Sequence, residues 1–222
     1  MSKVHLNMDY LSKILYSPVL SDILDELGVI DHVLPSDIRP LDPDFVVIGY
    51  AYPIHLSKVN DCDPDNPYKG ILNALDNVPE DAVIVIEVDE SIRNKVAAWG
   101  ELTSTTAMAR GARGAVVHGF VRDAHQILRM GFPVFSTGFI PYDIKCRGDA
   151  DDYGKEVIIN GMKIKSGDLI FGDINGVVVV PSELINEVIT RAIEKATKES
   201  NVKKELKRGK SAKEVWNKYK IF

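Results

Sequence analysis

The sequence predicts a layered α/β protein: a core of parallel βαβ units, antiparallel strands packed on it, and helices at both termini. Three observations predict it. Between residues 82 and 139, short apolar runs alternate with helical stretches over short links, the pattern of parallel strands joined by crossover helices. After Gly148 the rhythm changes to EVIINGMKIKSGDLIFGDINGVVVV, whose Asn160-Gly161, Gly167-Asp168 and Asn175-Gly176 pairs mark turns between antiparallel strands. The two ends of the chain instead carry apolar residues at helical spacing. With 222 residues, 45% hydrophobic and 27% charged, the chain can bury a sizeable core, and we read 1–222 as one domain.

Taken in order, SPVLSDILDELG reads as a helix with Ser17 as its cap, Pro18 at the first helical position and Gly28 at its end. FVVIGYAYPIHL is a β-rich run interrupted by Pro53. In the acidic loop NDCDPDNP, the spacing of Asp61, Asp63 and Asp65 is that of a calcium loop. Asn66 stands where that loop requires Gly, and Leu72 where it requires the closing Glu, which excludes the motif. AVIVIEV (residues 82–88) is a buried strand. A helix follows over 101–112, with Gly111 and Gly114 suited to ending it. AVVHGF (115–120) is the next strand, 123–130 a short helix closed by Gly131, and PVFSTGF the next strand. A long final helix begins at Ser182 as cap and passes Glu199. From Lys203 onward it is too polar for a core, and it is placed to reach another subunit.

Composition narrows the class. No apolar run approaches the roughly 18 residues that span a membrane, and MSKVHLNMDYLSK lacks the apolar centre of a signal peptide. Cys62 and Cys146 lie far apart with no CxxC neighbour, and read as free thiols in a reducing, cytoplasmic compartment. The formal charge of −5 hides a basic end: residues 191–220 hold 11 Lys/Arg against 4 Asp/Glu, a local +7. A solvated helix with Glu/Lys pairs outweighs a nucleic-acid surface there, since no pattern of aromatic interleaving suggests base stacking.

The chemistry concentrates in WGELTSTTAMARGARGAVVHGFVRD. In open α/β sheets, ligands bind beyond the carboxyl ends of the strands. Arg122-Asp123 follows one such strand, and Gly100 to Thr103 opens a helix at the same edge. The N–H groups of Glu101, Leu102 and Thr103 then make an anion site, and Arg122 offers a planar fork for a carboxylate. Glu101 and Asp123 supply two hard oxygen ligands that suit Mg²⁺ or Mn²⁺, and such an ion beside a carboxylate-binding Arg would polarise a 2-oxo acid. On spacing alone the bland reading weighs more: an Arg-Asp pair is commonly a salt bridge, Asp123 a helix cap, and Glu101 a favoured first-turn residue. His118, within an apolar strand, reads as a packed residue and His125 as a surface one. Trp99 reads as packing behind the anion loop, and residues 173–176 as a tight turn rather than a metal site.

These residues carry a resemblance. SDILDELG, DNPYKGILNAL, the WGELT…VRD stretch, GFPVFSTGF and INGMKIKSGDLIFGDINGVVVVP resemble, in order, the RraA-like family. That family includes class II 4-hydroxy-4-methyl-2-oxoglutarate aldolases and the regulator of ribonuclease E activity A. The resemblance implies a swivelling β/α fold. The aldolase pattern is an acidic residue, twenty positions, then Arg-Asp; Glu101 and Arg122-Asp123 fit it, with Glu where Asp is more usual. A second variant, with Gly at the first position, needs an acid where this chain has Gln126.

By that resemblance Arg122 and the amides of Gly100, Glu101, Leu102 and Thr103 bind the substrate's 1-carboxylate. Asp123, assisted by Glu101, holds Mg²⁺ or Mn²⁺, and Glu199 enters from a neighbouring subunit of a homotrimer or dimer of trimers. The implied reaction is retro-aldol cleavage of a 4-hydroxy-2-oxo acid to pyruvate, with oxaloacetate decarboxylation alongside and no Schiff-base Lys. Lys145 and Arg147 either meet a distal substrate carboxylate or hold their loop. The alternatives are a non-catalytic RraA-type regulator that binds a ribonuclease or other protein, and another lyase or hydratase acting on oxo acids. Glu101 favours an enzyme.

Overall fold

A computed structural model describes residues 6–220. The MSKVH part of the leader-peptide expectation, and the two ends of the 1–222 domain expectation, lie outside the described residues. Helices α1 (Met8–Ile14) and α2 (Ser17–Glu26) lead through β1 (Arg39–Pro40) to the long strand β2 (Val47–Lys58). Then come α3 (Lys69–Asp76), β3 (Ala82–Val88), β4 (Ala97–Trp99), α4 (Glu101–Ala109), β5 (Gly114–Val121), α5 (Ala124–Met130) and β6 (Val134–Phe139). Five antiparallel strands follow: β7 (Gly148–Tyr153), β8 (Glu156–Ile159), β9 (Met162–Lys165), β10 (Leu169–Asp173) and β11 (Gly176–Val180). Helices α6 (Ile185–Lys207) and α7 (Ala212–Tyr219) complete the described chain.

The predicted α/β class holds. β2, β3, β5 and β6 are parallel neighbours within a sheet of order β1-β6-β5-β3-β2-β10-β11, with β4 added beside β5 and β7 beside β2. β10 and β11 are antiparallel, and β8–β9 form a separate hairpin. Its turn residues Asn160 and Gly161 both have positive φ, 49° and 84°, which is why that dipeptide stands there. The chain ahead of β1 crosses to the opposite edge, where Val33 bridges Val178 and the Leu34 N–H donates to the Val177 carbonyl at 2.9 Å. The sheet is thereby nearly closed into a barrel.

β3 is apolar at almost every position because both its faces are covered. Val83 and Val85 point inward to a cluster with Val116, Phe135 and Ile170. Ile84 and Ile86 point outward beneath α3, α4 and α5. Each such fully buried Ile stabilises the fold by roughly 1.5–3 kcal/mol. The β10–β11 half of the outer face is covered by α1, α2 and α6.

Several expectations need correction. Pro53 does not interrupt its strand: it sits inside β2, opposite Val85, in the gap between the β10 pairing that ends at Tyr50 and the β7 pairing that starts at Ile54. A missing N–H costs least where no ladder partner stands. Ser17 is the first helical residue of α2, not its cap; its N–H and Oγ both donate to buried Asp173, at 2.8 and 2.7 Å. Asp173 also accepts from the Asn175 N–H at 2.8 Å, so the residue 173–176 turn does feed β11, as read. The last long helix starts at Ile185; Ser182 lies before it and its N–H donates to Asp168. α4 ends at Ala109, with Gly111 at φ 80° reversing the chain.

The two cysteines are not free thiols. Cys62 and Cys146 form a disulfide with Cα atoms 5.1 Å apart, and the reducing compartment inferred from them loses that support. The basic end pairs as read, Lys203 with Glu199 and both Lys210 and Lys218 with Glu205. Its polar sequence conceals buried Val202 and Val215, where α7 folds back on α6. Among the described residues no helix is long and apolar enough to cross a membrane.

Candidate functional site

Strand pairing brings the two halves of the sequence-predicted site together. β4 lies parallel to β5 with Trp99 opposite Val121, and the Arg122 N–H donates to the Trp99 carbonyl at 2.9 Å. Gly100 therefore lies against Arg122-Asp123, at the carboxyl end of both strands. A Cβ on Gly100 would stand 2.8 Å from Asp123 Oδ2 and 3.2 Å from Arg122 Cγ, so any larger residue must displace the Asp123 carboxylate. Trp99, only 1% exposed, packs behind this loop as expected, its indole N–H donating to Ser104 Oγ at 2.7 Å. Ser104 Oγ and Thr103 Oγ1 both donate to the Gly100 carbonyl at 2.9 Å, which fixes the first turn of α4.

The anion cradle differs from the expectation in one respect. Of the three amides expected to be open, that of Glu101 donates to Asp123 Oδ2 at 3.2 Å. Asp123 thus occupies part of the α4 N-terminus, where the helix dipole favours a carboxylate. Its own backbone is left-handed, φ 56° and ψ 32°, and its side chain does not cap α5. Asp123 therefore stands at the N-cap position of α5 as read, its carbonyl accepting the Gln126 and Ile127 N–H groups at 3.0 and 3.1 Å, while its carboxylate serves α4 instead. Leu102 and Thr103 complete the same helix end, and Leu102 is 77% exposed.

Arg122 is held from two sides. Its Nε lies 3.6 Å from Asp123 Oδ2, and its Nη1 lies 3.2 Å from Asp143 Oδ2. Nη2 has no partner among the described residues. Arg122, Asp123, Phe139 and Pro141 line an open cavity of about 370 Å³ at the ends of β5 and β6. The Glu101 side chain is half-buried and makes no hydrogen bond or ion pair among the described residues.

Glu199 is not brought to this cavity within one chain. Its carboxylate accepts a short hydrogen bond from Tyr16, pairs with Lys203 at 3.8 Å, and lines a different cavity beside Asp22, Lys195 and Trp216. Burial, then the Glu199 carboxylate, push the Tyr16 hydroxyl far above its ordinary pKa, so it remains the donor. Arg147 holds its loop, donating to the Asp143 carbonyl at 2.9 Å and lying over the Tyr142 ring. Lys145 is exposed. His125 is exposed and His118 only 8% exposed, as read. His118 Nδ1 is buried without a partner among the described residues, and burial, then Arg93, lower its pKa.

Sequence reasoning missed Asp143 and Tyr68. Asp143 takes Arg122 on one oxygen, which also accepts from the Tyr68 hydroxyl at 2.9 Å. Topology held a signal for Asp143: β6 is the parallel neighbour of β5, so the loop leaving β6 must pass the Arg122 end. Tyr68, on the far side of the sheet order, offered none.

Comparison with known proteins settles the lineage. The Aldolase/RraA family profile, RraA-like, matches residues 17–179. The chain belongs to the RraA-like family. It is 36% identical over 186 residues to an uncharacterized protein of Methanocaldococcus jannaschii, covering 82% of this chain and 84% of that one. It is 33% identical over 204 residues to Protein DlpA of Legionella pneumophila, covering 91% of this chain; the match spans only 32% of that longer relative. A protein of Halalkalibacterium halodurans named "Putative 4-hydroxy-4-methyl-2-oxoglutarate aldolase" is 28% identical over 176 residues, 79% of this chain and 77% of that one. A crystal structure of novel cellulases from microbes associated with the gut ecosystem superposes with a TM-score of 0.81 at 30% identity, covering 90% of each chain. RraAS2 of Streptomyces coelicolor, described as an unusual member of the RNase ES inhibitor RraA protein family, superposes with a TM-score of 0.77 at 22% identity. That alignment covers 89% of this chain and 96% of that one, and shows the RraA fold.

Proposed function

We propose that this RraA-like protein is a divalent-metal-dependent lyase that cleaves 4-hydroxy-2-oxo acids to pyruvate and also decarboxylates oxaloacetate. The observation that carries the reading is that Arg122 and Asp123 line one open cavity and that Asp123 also takes the Glu101 N–H at the α4 N-terminus. Aldolase names among relatives such as that of H. halodurans support it.

Arg122 binds the C1 carboxylate through its uncommitted Nη2 edge, and the Leu102 and Thr103 amides add donors at the helix end. Fixing the carboxylate there removes the translational and rotational freedom that opposes reaction. Asp123 and Glu101 suit Mg²⁺ or Mn²⁺: Asp123 Oδ1 accepts no hydrogen bond among the described residues, and the Glu101 carboxylate is unpaired. Those same residues include no group of three or more His, Cys, Asp or Glu able to hold an ion alone. That donor set fits a hard ion that keeps waters and takes substrate oxygens, not a closed zinc cage. When bound, the ion acts as a Lewis acid toward the negative charge that develops on the 2-oxo oxygen as the C–C bond breaks.

Glu199 acts from a second copy in a homotrimer or dimer of trimers. The exposed Phe139 in the cavity lining and Leu102 in the first turn of α4, 60% and 77% exposed, support a site completed by a neighbouring chain. The test is pyruvate release from oxaloacetate with Mg²⁺, without it, and with EDTA. Metal-dependent release is expected; release indifferent to both Mg²⁺ and EDTA sinks the proposal.

A further inference from the structure

Two loops meet beside Arg122. One follows β2 and carries Cys62 and, just before α3, Tyr68; the other follows β6 and carries Asp143 and Cys146. Asp143 Oδ2 joins Tyr68 to Arg122, and its Oδ1 accepts the Lys145 N–H at 3.1 Å. The Cys62–Cys146 bond closes the same two loops covalently, with Cys146 exposed and Cys62 half-buried. Beyond it, the Val59 N–H donates to the Arg147 carbonyl at 3.0 Å, where the β2–β7 ladder begins. The covalent tie thus lies on the loop side of the ladder, on the two loops that carry Asp143, which touches Arg122, and Tyr68, which bonds to Asp143.

We propose that Asp143 and Tyr68 are positioning residues for the Arg122 guanidinium, and that the Cys62–Cys146 disulfide holds their loops together, making the carboxylate affinity of the site depend on thiol redox state. The inference rests on Arg122 as the carboxylate-binding group of the proposed function.

The geometry supports a positioning role. A guanidinium has five N–H donors in one plane, so two fixed edges determine the third. With Nε toward Asp123 and Nη1 on Asp143, Nη2 is the edge left for substrate. Burial works against the Asp143 charge, but the Lys145 amide, the Tyr68 hydroxyl and Arg122 outweigh it and hold its carboxyl below the usual range. Asp143 is thus the anionic anchor at neutral pH. Without it Arg122 must be ordered by the incoming carboxylate, which raises the dissociation constant. Reduction is balanced by an added dithiol: it gives two electrons and two protons to the S–S bond, leaves two cysteine thiols, and becomes its own disulfide. A staple that only stabilises the fold would change stability but not the affinity of folded protein.

The test is calorimetric titration of the full chain with pyruvate in Mg²⁺, oxidised and after dithiothreitol, alongside KM and kcat for oxaloacetate. The variants are Asp143→Asn, Tyr68→Phe, Arg122→Ala and Cys62→Ser/Cys146→Ser, each checked for native circular dichroism. Asp143→Asn is expected to raise Kd and KM about tenfold, and more than it lowers kcat; Tyr68→Phe and reduction each act about threefold in the same direction. Reduction has no further effect in Asp143→Asn, because the anchor it acts through is gone. If Asp143→Asn does not fold, Tyr68→Phe and reduction of the wild type carry the same test. Pyruvate binding abolished by Arg122→Ala yet indifferent to Asp143→Asn and to reduction overturns this inference alone. No pyruvate binding by the oxidised wild type overturns the proposed function and this inference with it.

Discussion

Replacing Gly100 with Ala adds one methyl group at the tightest point of the site. The new Cβ would lie 2.8 Å from Asp123 Oδ2, whereas ordinary contact begins near 3.4 Å, so the carboxylate must retreat by about 0.6 Å. The Glu101 N–H···Oδ2 bond is already 3.2 Å long, and that retreat breaks it. A hydrogen bond to a charged acceptor contributes roughly 1.5–3 kcal/mol, less here because Asp123 is partly exposed. Losing Gly at the N-cap for Ala costs a further ~0.5–1 kcal/mol. We expect about 2 kcal/mol in total, a fall in Tm of roughly 4–8 °C for a chain of this size. The loss in kcat/KM should be larger in proportion, about 10²-fold, because misplacing catalytic groups by about 1 Å costs that much. Pyruvate release from oxaloacetate, measured with a thermal melt on the same sample, checks both. A folded Gly100→Ala protein within about threefold of wild-type kcat/KM would refute the reasoning.

Asp123→Asn keeps a side chain that tolerates the left-handed φ of 56°, whereas Asp123→Ala loses it. We expect Asn to abolish metal-dependent turnover at near wild-type stability, and Ala to be about 1 kcal/mol less stable than Asn by urea denaturation. The Asp143 carboxyl is depressed in the folded state, so its stabilising effect is present above the unfolded value and is lost as pH falls through the lower folded value. The stability difference between wild type and Asp143→Asn should be flat from about pH 7 to 5 and shrink below about pH 4 in urea melts. Glu205 is held down at about 2, first by Lys210 and Lys218 and then by Tyr219, which docks α7 on α6. Its contribution is present above about 4.5 and is lost as pH falls toward about 2; Glu205→Gln should undock α7 at neutral pH, seen as a red shift of Trp216 emission.

What could be read from the chain alone has short range. AVIVIEV announced a strand covered on both faces because burial of both faces requires apolar residues at every position. Asn160-Gly161 announced a hairpin because both residues must take positive φ, and Gly131 announced the end of α5 for the same reason. Glu101 and Arg122-Asp123 could be placed at one edge because each was read as following a parallel strand; the strand just before Glu101 is β4, beside β5, which the sequence reading did not name.

What only the tertiary structure decided depends on partners distant in sequence. Ser17 looked like a cap by its local neighbours, yet Asp173, brought over by β10, takes its N–H and hydroxyl. Pro53 looked like a break, yet the change of partner from β10 to β7 leaves a place for it. Cys62 and Cys146, 84 residues apart, looked free because no local spacing joins them. Asp123 looked like the cap of the helix that follows it and stands at that position, yet its carboxylate serves the α4 N-terminus through Glu101. The amino-acid sequence by itself determined the periodicities, the turns and the residue types available for chemistry. The fold decided which carboxylate meets which donor, because a side chain's partner is set by strand order and packing, which no local pattern encodes.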